Sequence, residues 1–370
     1  MKTIGILKEK SNDWRVCLLP QAVKTLNDRG YDVITEEGLG NGIGLLNQDY
    51  KNVGASVYSK DVTIRKSDIV CSINHNYNNE KLDHHTSFIG CFNPLFFRNA
   101  LNVYPENSSI YSIDLLPRTT LAQGMDVLSS QASLSGYKAV MLASNYGTRS
   151  IPMFTTAAGT IQPARVLVLG AGVAGLQAIA TAKRLGATVD AFDVRSSAAE
   201  EVKSLGANFI EVPGYKESKS TGGYALVQSV NFQRKQNELI HEHAIKADII
   251  ITTANIPGKK APILLKEKTL KQMKLGSVIV DLAAEQGGNC ELVKNNRITT
   301  CYGVTLIGNS SLAKTIPSSA STLLSTNYLN YLTAFLENAE SNLIQSTLVL
   351  ENGIIKHPKI IQDSQNLQVI

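Results

Sequence analysis

The sequence predicts an α/β protein built on parallel, doubly wound sheets, and three observations carry that prediction. Short apolar runs of strand length alternate with amphipathic helical stretches along most of the 370 residues. Several runs, such as Val166–Leu169 and the Ile249–Ile251 centre of Asp248–Thr253, are continuous in apolar residues, as strands buried on both faces must be. A glycine-rich segment, Gly170-Ala171-Gly172-Val173-Ala174-Gly175, joins one such strand to a helical pattern.

Taken in order, Thr3–Leu7 reads as a strand, Gln21–Asp28 as a helix stopped by Gly30, and Asp32–Glu36 as a strand. Further strands are expected at Asp68–Ile73, Ser87–Phe92 and Ser109–Leu115, with Asn74–His85 a surface loop by composition. A helical pattern from about Met125 to Ala143 has the length of a connector between domains. Beyond Arg165 the alternation is clearer. Val166–Leu169, Thr188–Phe192, Asn208–Val212, Asp248–Thr253, Ser277–Asp281 and Val304–Ile307 are strands. Val173–Leu185, Ser197–Leu205 and a stripe through Phe232, Leu239, Ile240 and Ala244 are helices. A last helix, Ser318–Glu340, carries Leu323, Leu324, Tyr328, Leu332 and Phe335 and can return to the first domain. The expected architecture is therefore two Rossmann-like domains around a central cleft. One comprises residues 1–128 with 312–370, and the other residues 129–311.

Composition narrows the function. Hydrophobic residues at 43% and charged residues at 18% exclude collagen-like, disulfide-scaffold and wholly disordered chains. The formal charge of +5 is spread out, which does not favour nucleic acid but leaves room for an anionic membrane surface nearby. Cys17, Cys71, Cys91, Cys290 and Cys301 form no CxxC pair, so the expectation is a reducing compartment. The opening MKTIGILKEK lacks a signal peptide's apolar core. The run Val166 to Ala182 is too short and glycine-rich to span a bilayer, so no direct membrane insertion is expected. No metal site is expected either: His241 and His243 do not share a helical face, and His84-His85 reads as incidental surface. Ser129-Ser130 lies outside any GxSxG elbow.

The glycine segment has the spacing of a dinucleotide turn. Its glycines permit the tight turn, close approach to a pyrophosphate and close helix–strand packing, while the helix N-terminus offers N–H groups to phosphate. Asp193, ending the next strand, suits ribose hydroxyls and repels a 2′-phosphate, favouring NAD(H). Arg195 keeps two readings open: a 2′-phosphate partner, or an exposed side chain at a helix start.

The run TTAAGTIQPARVLVLGAGVAGLQAIATAKRLGATVDAFDVR resembles the NAD(H)-binding component of proton-translocating nicotinamide nucleotide transhydrogenase. So do FQRKQNELI, ADIIITTANIPGKKAP, GSVIVDLAAEQGGNCEL and GVTLIG, and alanine dehydrogenase is a second relative. The resemblance implies that Gly170, Gly172, Val173, Ala174, Gly175, Asp193, Val194, Arg195, Gly223 and Ala254 contact NAD(H). It implies that Arg118, Gln123, Asp126 and Ser129 serve the nicotinamide end, with Gln123 bridging toward NADP(H) on a partner subunit. On residues alone, the favoured reading is that Asp126 caps the helix and Arg118 pairs with it on the surface. Gly222-Gly223-Tyr224-Ala225 matches a mobile loop whose tyrosine folds over the nucleotide; a plain turn is the other reading.

Further implications are a homodimer, a beta-type NADP(H) subunit, and membrane-spanning subunits that couple hydride transfer to proton translocation. The chain itself would be peripheral on the cytoplasmic side. Two alternatives stand beside this: a free-standing amino-acid dehydrogenase of the alanine dehydrogenase kind, and a binding-only NAD(H) paralogue. Lys8, Glu9, Arg15 and Val16 match the KE…RV opening of alanine dehydrogenase, where the arginine holds the substrate carboxylate. That enzyme's lysine and histidine are absent from the corresponding stretches Ser72–His75 and Cys91–Leu95, and His75 reads as an exposed loop residue. Glu285-Gln286-Gly287-Gly288-Asn289 reads as cofactor lining or as turn chemistry. Leu121, Asn255 and the segment Asn309–Ser318 depart from the transhydrogenase pattern.

Overall fold

The computed structural model describes residues 2–10, 12–77, 82–212, 230–256 and 258–367. The chain divides into two compact units, Met1–Gln131 with Lys314–Ile370, and Ala132–Ala313. Each holds one parallel-rich sheet covered by helices.

In the first unit, β1 (Thr3–Ile6), β2 (Asp32–Glu36), β3 (Ser56–Tyr58), β4 (Ile69–Cys71), β5 (Thr86–Gly90) and β6 (Ser108–Ser112) pair in parallel, in the order β3-β2-β1-β4-β5-β6. Successive residues serve opposite faces. Ile4 and Ile6 with Ile69 and Cys71 enter one apolar cluster, and Leu7 with Val70 enters the other. Helix Pro317–Glu337 packs Leu324, Tyr328, Tyr331, Leu332 and Phe335 into the first of these.

The second unit opens with a two-stranded hairpin, β7 (Phe154–Thr156) and β8 (Gly159–Ile161), outside the main sheet. The sheet comprises β9 (Arg165–Leu169), β10 (Thr188–Phe192), β11 (Asn208–Phe209), β12 (Ile249–Thr252), β13 (Val278–Asp281), β14 (Arg297–Cys301) and β15 (Val304–Gly308), in the order β11-β10-β9-β12-β13-β15-β14. The apolar runs have a simple cause. Val166 and Val168 face one cluster and Leu167 and Leu169 the other, and Ile249, Ile250 and Ile251 alternate likewise. Helix Val173–Arg184 covers one face through Ala178, Ile179 and Ala182, and helix Val230–Ala244 the opposite face through Ile240 and Ala244.

The parallel-rich α/β fold is as expected, with three corrections of detail. The sheets are not wholly parallel, because β14 pairs antiparallel with β15, and β16 (Leu348–Glu351) pairs antiparallel with β6 and with β17 (Ile354–Ile355). Both edge hairpins turn on two residues with positive φ, Tyr302-Gly303 and Asn352-Gly353. That geometry matches the strand twist, and the Asn-Gly pair is its strongest sequence signal. Second, Asn208–Val212 shortens to β11, and Ser109–Leu115 ends at Ser112 before a 3₁₀ turn, Ile113–Leu115. Third, Asn74–His85 is not merely surface: Asn76, Tyr77 and Leu82 are buried, and Tyr77 stacks on Tyr104 at 5.6 Å. Among the described residues no helix is long and apolar enough to cross a membrane.

Candidate functional site

In the second unit the strand order reverses between β9 and β12, and an open α/β sheet takes its ligands beyond the carboxyl ends at such a reversal. The glycine-rich turn lies there. Gly170 has φ +101°, which favours glycine, and an added Cβ would meet Thr253 Oγ1 at 2.5 Å. A Cβ at Gly175 would lie 1.8 Å from the Gly170 carbonyl oxygen, so helix Val173–Arg184 can pack this tightly only with glycine there. At Gly172 an added Cβ meets nothing within 4 Å. The three glycines thus divide the work of turning the chain, closing the packing, and leaving backbone open to a ligand. Helix Val173–Arg184 begins beyond Gly172 without a side-chain cap or an acid in its first turn, so its N–H groups suit an anion. These residues fit a dinucleotide pyrophosphate.

Asp193 follows β10, and its carboxylate is nearly enclosed. It accepts from Ala171 N at 2.7 Å, Arg195 N at 2.8 Å, Arg195 Nε at 3.0 Å and Arg195 Nη2 at 3.1 Å. Arg195 also donates to the Ala171 carbonyl at 3.3 Å. Arg195 is therefore not an exposed side chain at a helix start: it is half-buried, and the next helix begins only at Ala198. The carboxylate and the Ala171 carbonyl draw the guanidinium inward. Committed to Asp193 rather than held open for a phosphate, it supports the NAD(H) reading over NADP(H).

Ala254 belongs to the same strand-end group and is held by Asn289 of the EQGGN segment. The Asn289 side chain accepts from Ala254 N at 3.0 Å and donates to the Ala254 and Pro262 carbonyls at 2.8 and 2.9 Å. Asp281 accepts from Ala283 N, Asn289 N and Cys290 N, at 2.7 to 2.9 Å. Burial raises its carboxyl pKa against those donors. Gly287 and Gly288 both have positive φ, so the EQGGN segment is turn chemistry that fastens the Ala254 loop. Its glycine pair followed by asparagine is the only sequence signal for this role.

The first unit's sheet reverses between β1 and β4, and the crevice position there is filled by its own side chains. Glu9 accepts from Ile73 N, Asn74 N and Asn74 Nδ2, and Asn74 Nδ2 also reaches Asp13 at 3.1 Å. Asp13 grips Arg15 through Nε at 2.9 Å and Nη2 at 2.7 Å, while Arg15 Nη1 donates to Gln131 at 3.0 Å. Lys314 lies 3.5 Å from Asp13. Burial pushes the Glu9 carboxyl up to about 7, against its hydrogen bonds from Asn74 and Ile73. Burial also raises Asp13, but the hydrogen bonds and charge of Arg15 outweigh it and hold the carboxyl below its usual range. His75 is not an exposed loop residue. It is half-buried, stacks on Phe92 at 4.7 Å, and bonds to Tyr104 Oη and the Phe92 carbonyl, both at 3.0 Å.

Also in the first unit, Arg118 and Gln123 are exposed, and Gln123 lies on the 3₁₀ turn Thr120–Met125. Asp126 stands immediately before helix Val127–Tyr146 and accepts from Ser129 N at 2.9 Å and Ser129 Oγ at 2.6 Å. That is capping geometry, satisfying one of the helix's unpaired N–H groups. The structure thus brings Gln123, Asp126 and Ser129 onto one continuous turn and helix start. Among the departures, Leu121 is 82% exposed, and Asn255 is exposed, where a polar side chain is at no disadvantage. The Asn309–Ser318 segment contains a 3₁₀ turn, Leu312–Thr315, with Leu312 and Ala313 buried. Gly222, Gly223, Tyr224 and Ala225 lie outside the described residues.

Comparison with known proteins gives a consistent result. The alanine dehydrogenase/PNT N-terminal domain family matches residues 5–135, and the corresponding C-terminal domain family matches residues 139–363. The first component of the NAD(P) transhydrogenase alpha subunit from Rhodospirillum rubrum is 39% identical over 377 residues, covering 96% of this chain and 98% of the relative. A crystal structure of transhydrogenase from Sinorhizobium meliloti superposes with a TM-score of 0.83 at 37% identity, covering 96% of this chain and 99% of that one. Alanine dehydrogenase of Bacillus subtilis is 27% identical over 310 residues, covering 80% of this chain and 74% of the relative.

Proposed function

We propose that this chain, which belongs to the alanine dehydrogenase/PNT family, is the NAD(H)-binding component of a transhydrogenase that exchanges hydride with NADP(H) on a partner subunit. The observation that carries the reading is the glycine turn, with its closed packing at Gly175 and its open backbone at Gly172, beside Asp193. Bound NAD(H) would supply the hydride donor or acceptor. Backbone N–H groups at the start of helix Val173–Arg184 hold the pyrophosphate, and Val194 meets the adenosine ribose, with Asp193 shaping that end through the Ala171 and Arg195 groups it holds. Ala254 lines the cofactor from the end of β12. Arg118, Gln123, Asp126 and Ser129 orient the nicotinamide end, and Gly223 and Tyr224 exclude water. Transfer between two nicotinamide rings asks for positioning within about 3–3.5 Å and no proton donor from this chain.

The Arg15–Asp13 pair supports this reading over an amino-acid dehydrogenase. A substrate carboxylate would need the guanidinium edge that Asp13 already fills at 2.7 and 2.9 Å. Two copies are proposed to associate. All six strand residues of the β7–β8 hairpin are exposed, and Met153, Phe154 and Ile161 show about half their surface. A lone two-stranded hairpin is marginal in water, so a second copy is its proposed cover. Membrane-spanning partners are proposed to couple the transfer to proton movement, with this chain peripheral on the cytoplasmic side.

The test mixes the purified chain with the NADP(H)-binding component of a transhydrogenase and follows hydride transfer from NADH to a nicotinamide analogue. Transfer that requires both proteins is expected. Reduction of NAD by alanine with this chain alone would overturn the reading, and NADH binding without transfer would favour a binding-only paralogue.

A further inference from the structure

We propose that Asn327 and Asn330 are positioning residues for Gln123, clamping its turn to helix Pro317–Glu337. The inference rests on the reading of Gln123 as a nicotinamide-side residue. Gln123 is exposed on a short 3₁₀ turn, a poor platform by itself for a group that must be held closely. The carbonyl of the next residue, Gly124, accepts two hydrogen bonds, from Asn327 Nδ2 and Asn330 Nδ2, each at 2.9 Å. Residues three apart on a helix share a face, so both amides meet one oxygen from the same side. A Cβ on Gly124 would lie 3.0 Å from Asn330 Nδ2, so glycine lets the amide reach the carbonyl without shifting by a few tenths of an ångström.

Asn327 does a second thing. Its Oδ1 accepts from Ser130 Oγ at 2.8 Å, in the first turn of helix Val127–Tyr146, which follows Asp126 and contains Ser129. A side-chain amide is donor and acceptor at once, so one Asn327 joins the Gln123 turn and the Ser129 helix to the same support. Gln131 Nε2 adds a bond to the Ala320 carbonyl at 3.3 Å. Asn327 is buried, with the large side chains of Leu324 and Tyr331 on the same side of the helix. An amide there is costly unless its bonds are made, and leucine would serve the core alone. Displacing a positioned group by about 1 Å can cost about 10²-fold in rate, which is the scale on which such a clamp matters.

The test compares the wild-type chain with Asn327→Asp and Asn330→Ala. Asn327→Asp keeps the acceptor for Ser130 but faces the Gly124 carbonyl with an oxygen. Hydride transfer at saturating nucleotide should fall by about tenfold or more in Asn327→Asp and less in Asn330→Ala, because the latter loses one bond rather than two links. The NADH dissociation constant should stay within about twofold, since the proposed dinucleotide turn belongs to the other unit. Amide hydrogen exchange across 120–126 should quicken in both variants. Unchanged exchange in both overturns the clamp, even if the wild-type chain transfers no hydride; a silent wild-type chain overturns the functional reading instead. Transfer loss matched by equal loss of NADH affinity would also overturn the positioning role. Should Asn327→Asp fail to fold, Asn330→Ala, at an exposed position, decides by the same readouts.

Discussion

At the scale of single residues, one glycine and one carboxyl carry measurable consequences. Gly175→Ala places a methyl 1.8 Å from the Gly170 carbonyl, which is backbone and cannot step aside. The expected result is a stability loss of about 1–3 kcal/mol, as overpacking brings, with weakened NADH binding. Thermal melting and fluorescence titration check it. Gly172→Ala faces open space and should leave the melt nearly unchanged while weakening NADH, which separates packing from ligand approach. Glu9 predicts a pH dependence. Its carboxyl is raised from 4.5 to about 7, so the folded chain holds that proton more tightly than the unfolded one. Stability from this group is complete below the unfolded pKa and is lost as pH rises through the folded value. The loss between about pH 4.5 and 7 amounts to about 3 kcal/mol. Urea unfolding across that range should show a downward slope in the wild-type chain that is much flatter in Glu9→Gln.

At the scale of elements, helix Pro317–Glu337 is fastened to the first unit's sheet by more than its apolar face. Tyr328 Oη donates to the Ser72 carbonyl at 2.8 Å just past β4, and the Ser321 and Ser325 hydroxyls accept from Val16 N and Leu19 N. Tyr328→Phe keeps the ring and removes this bond together with the weaker 3.5 Å contact to Cys91 Sγ, so denaturant unfolding should lose about 1 kcal/mol. A larger loss would mean that the Ser72 carbonyl depends on this partner. Helix Val173–Arg184 teaches a complementary lesson. Its start was readable because a dinucleotide turn has local spacing, whereas the Asn327–Gly124 contact spans 203 residues and has no local pattern.

For the whole molecule, assembly is the open quantity. Met153, Phe154 and Ile161 leave the β7–β8 hairpin with an apolar surface that water does not favour. Phe154→Asp with Ile161→Asp should shift the chain from dimer to monomer in sedimentation analysis. If dimerisation serves stability only, NADH affinity per chain stays constant. A wild-type chain that sediments as a monomer at micromolar concentration would remove the dimer proposal.

By itself the sequence determined the sheet strands that run apolar on both faces, the glycine turn and the acidic residue after β10. These are set by neighbours within a few residues: a strand buried on two sides must be apolar throughout, and a tight βα turn admits only glycine at its strained points. The antiparallel edges were half-legible, since Asn352-Gly353 is a local hairpin signal and Tyr302-Gly303 a weaker one. Only the tertiary structure decided the rest. Asp13 is two residues from Arg15, yet spacing could not say that it would occupy the guanidinium a substrate would need. Arg195 reads from the sequence as exposed or as a phosphate partner, and the fold instead holds it on Asp193 and the Ala171 carbonyl. Asn327, and the partners that Asn289 finds, could not be read for the same physical reason. A side-chain amide has no periodicity to betray it, and its importance depends on which distant carbonyl the fold brings within 3 Å.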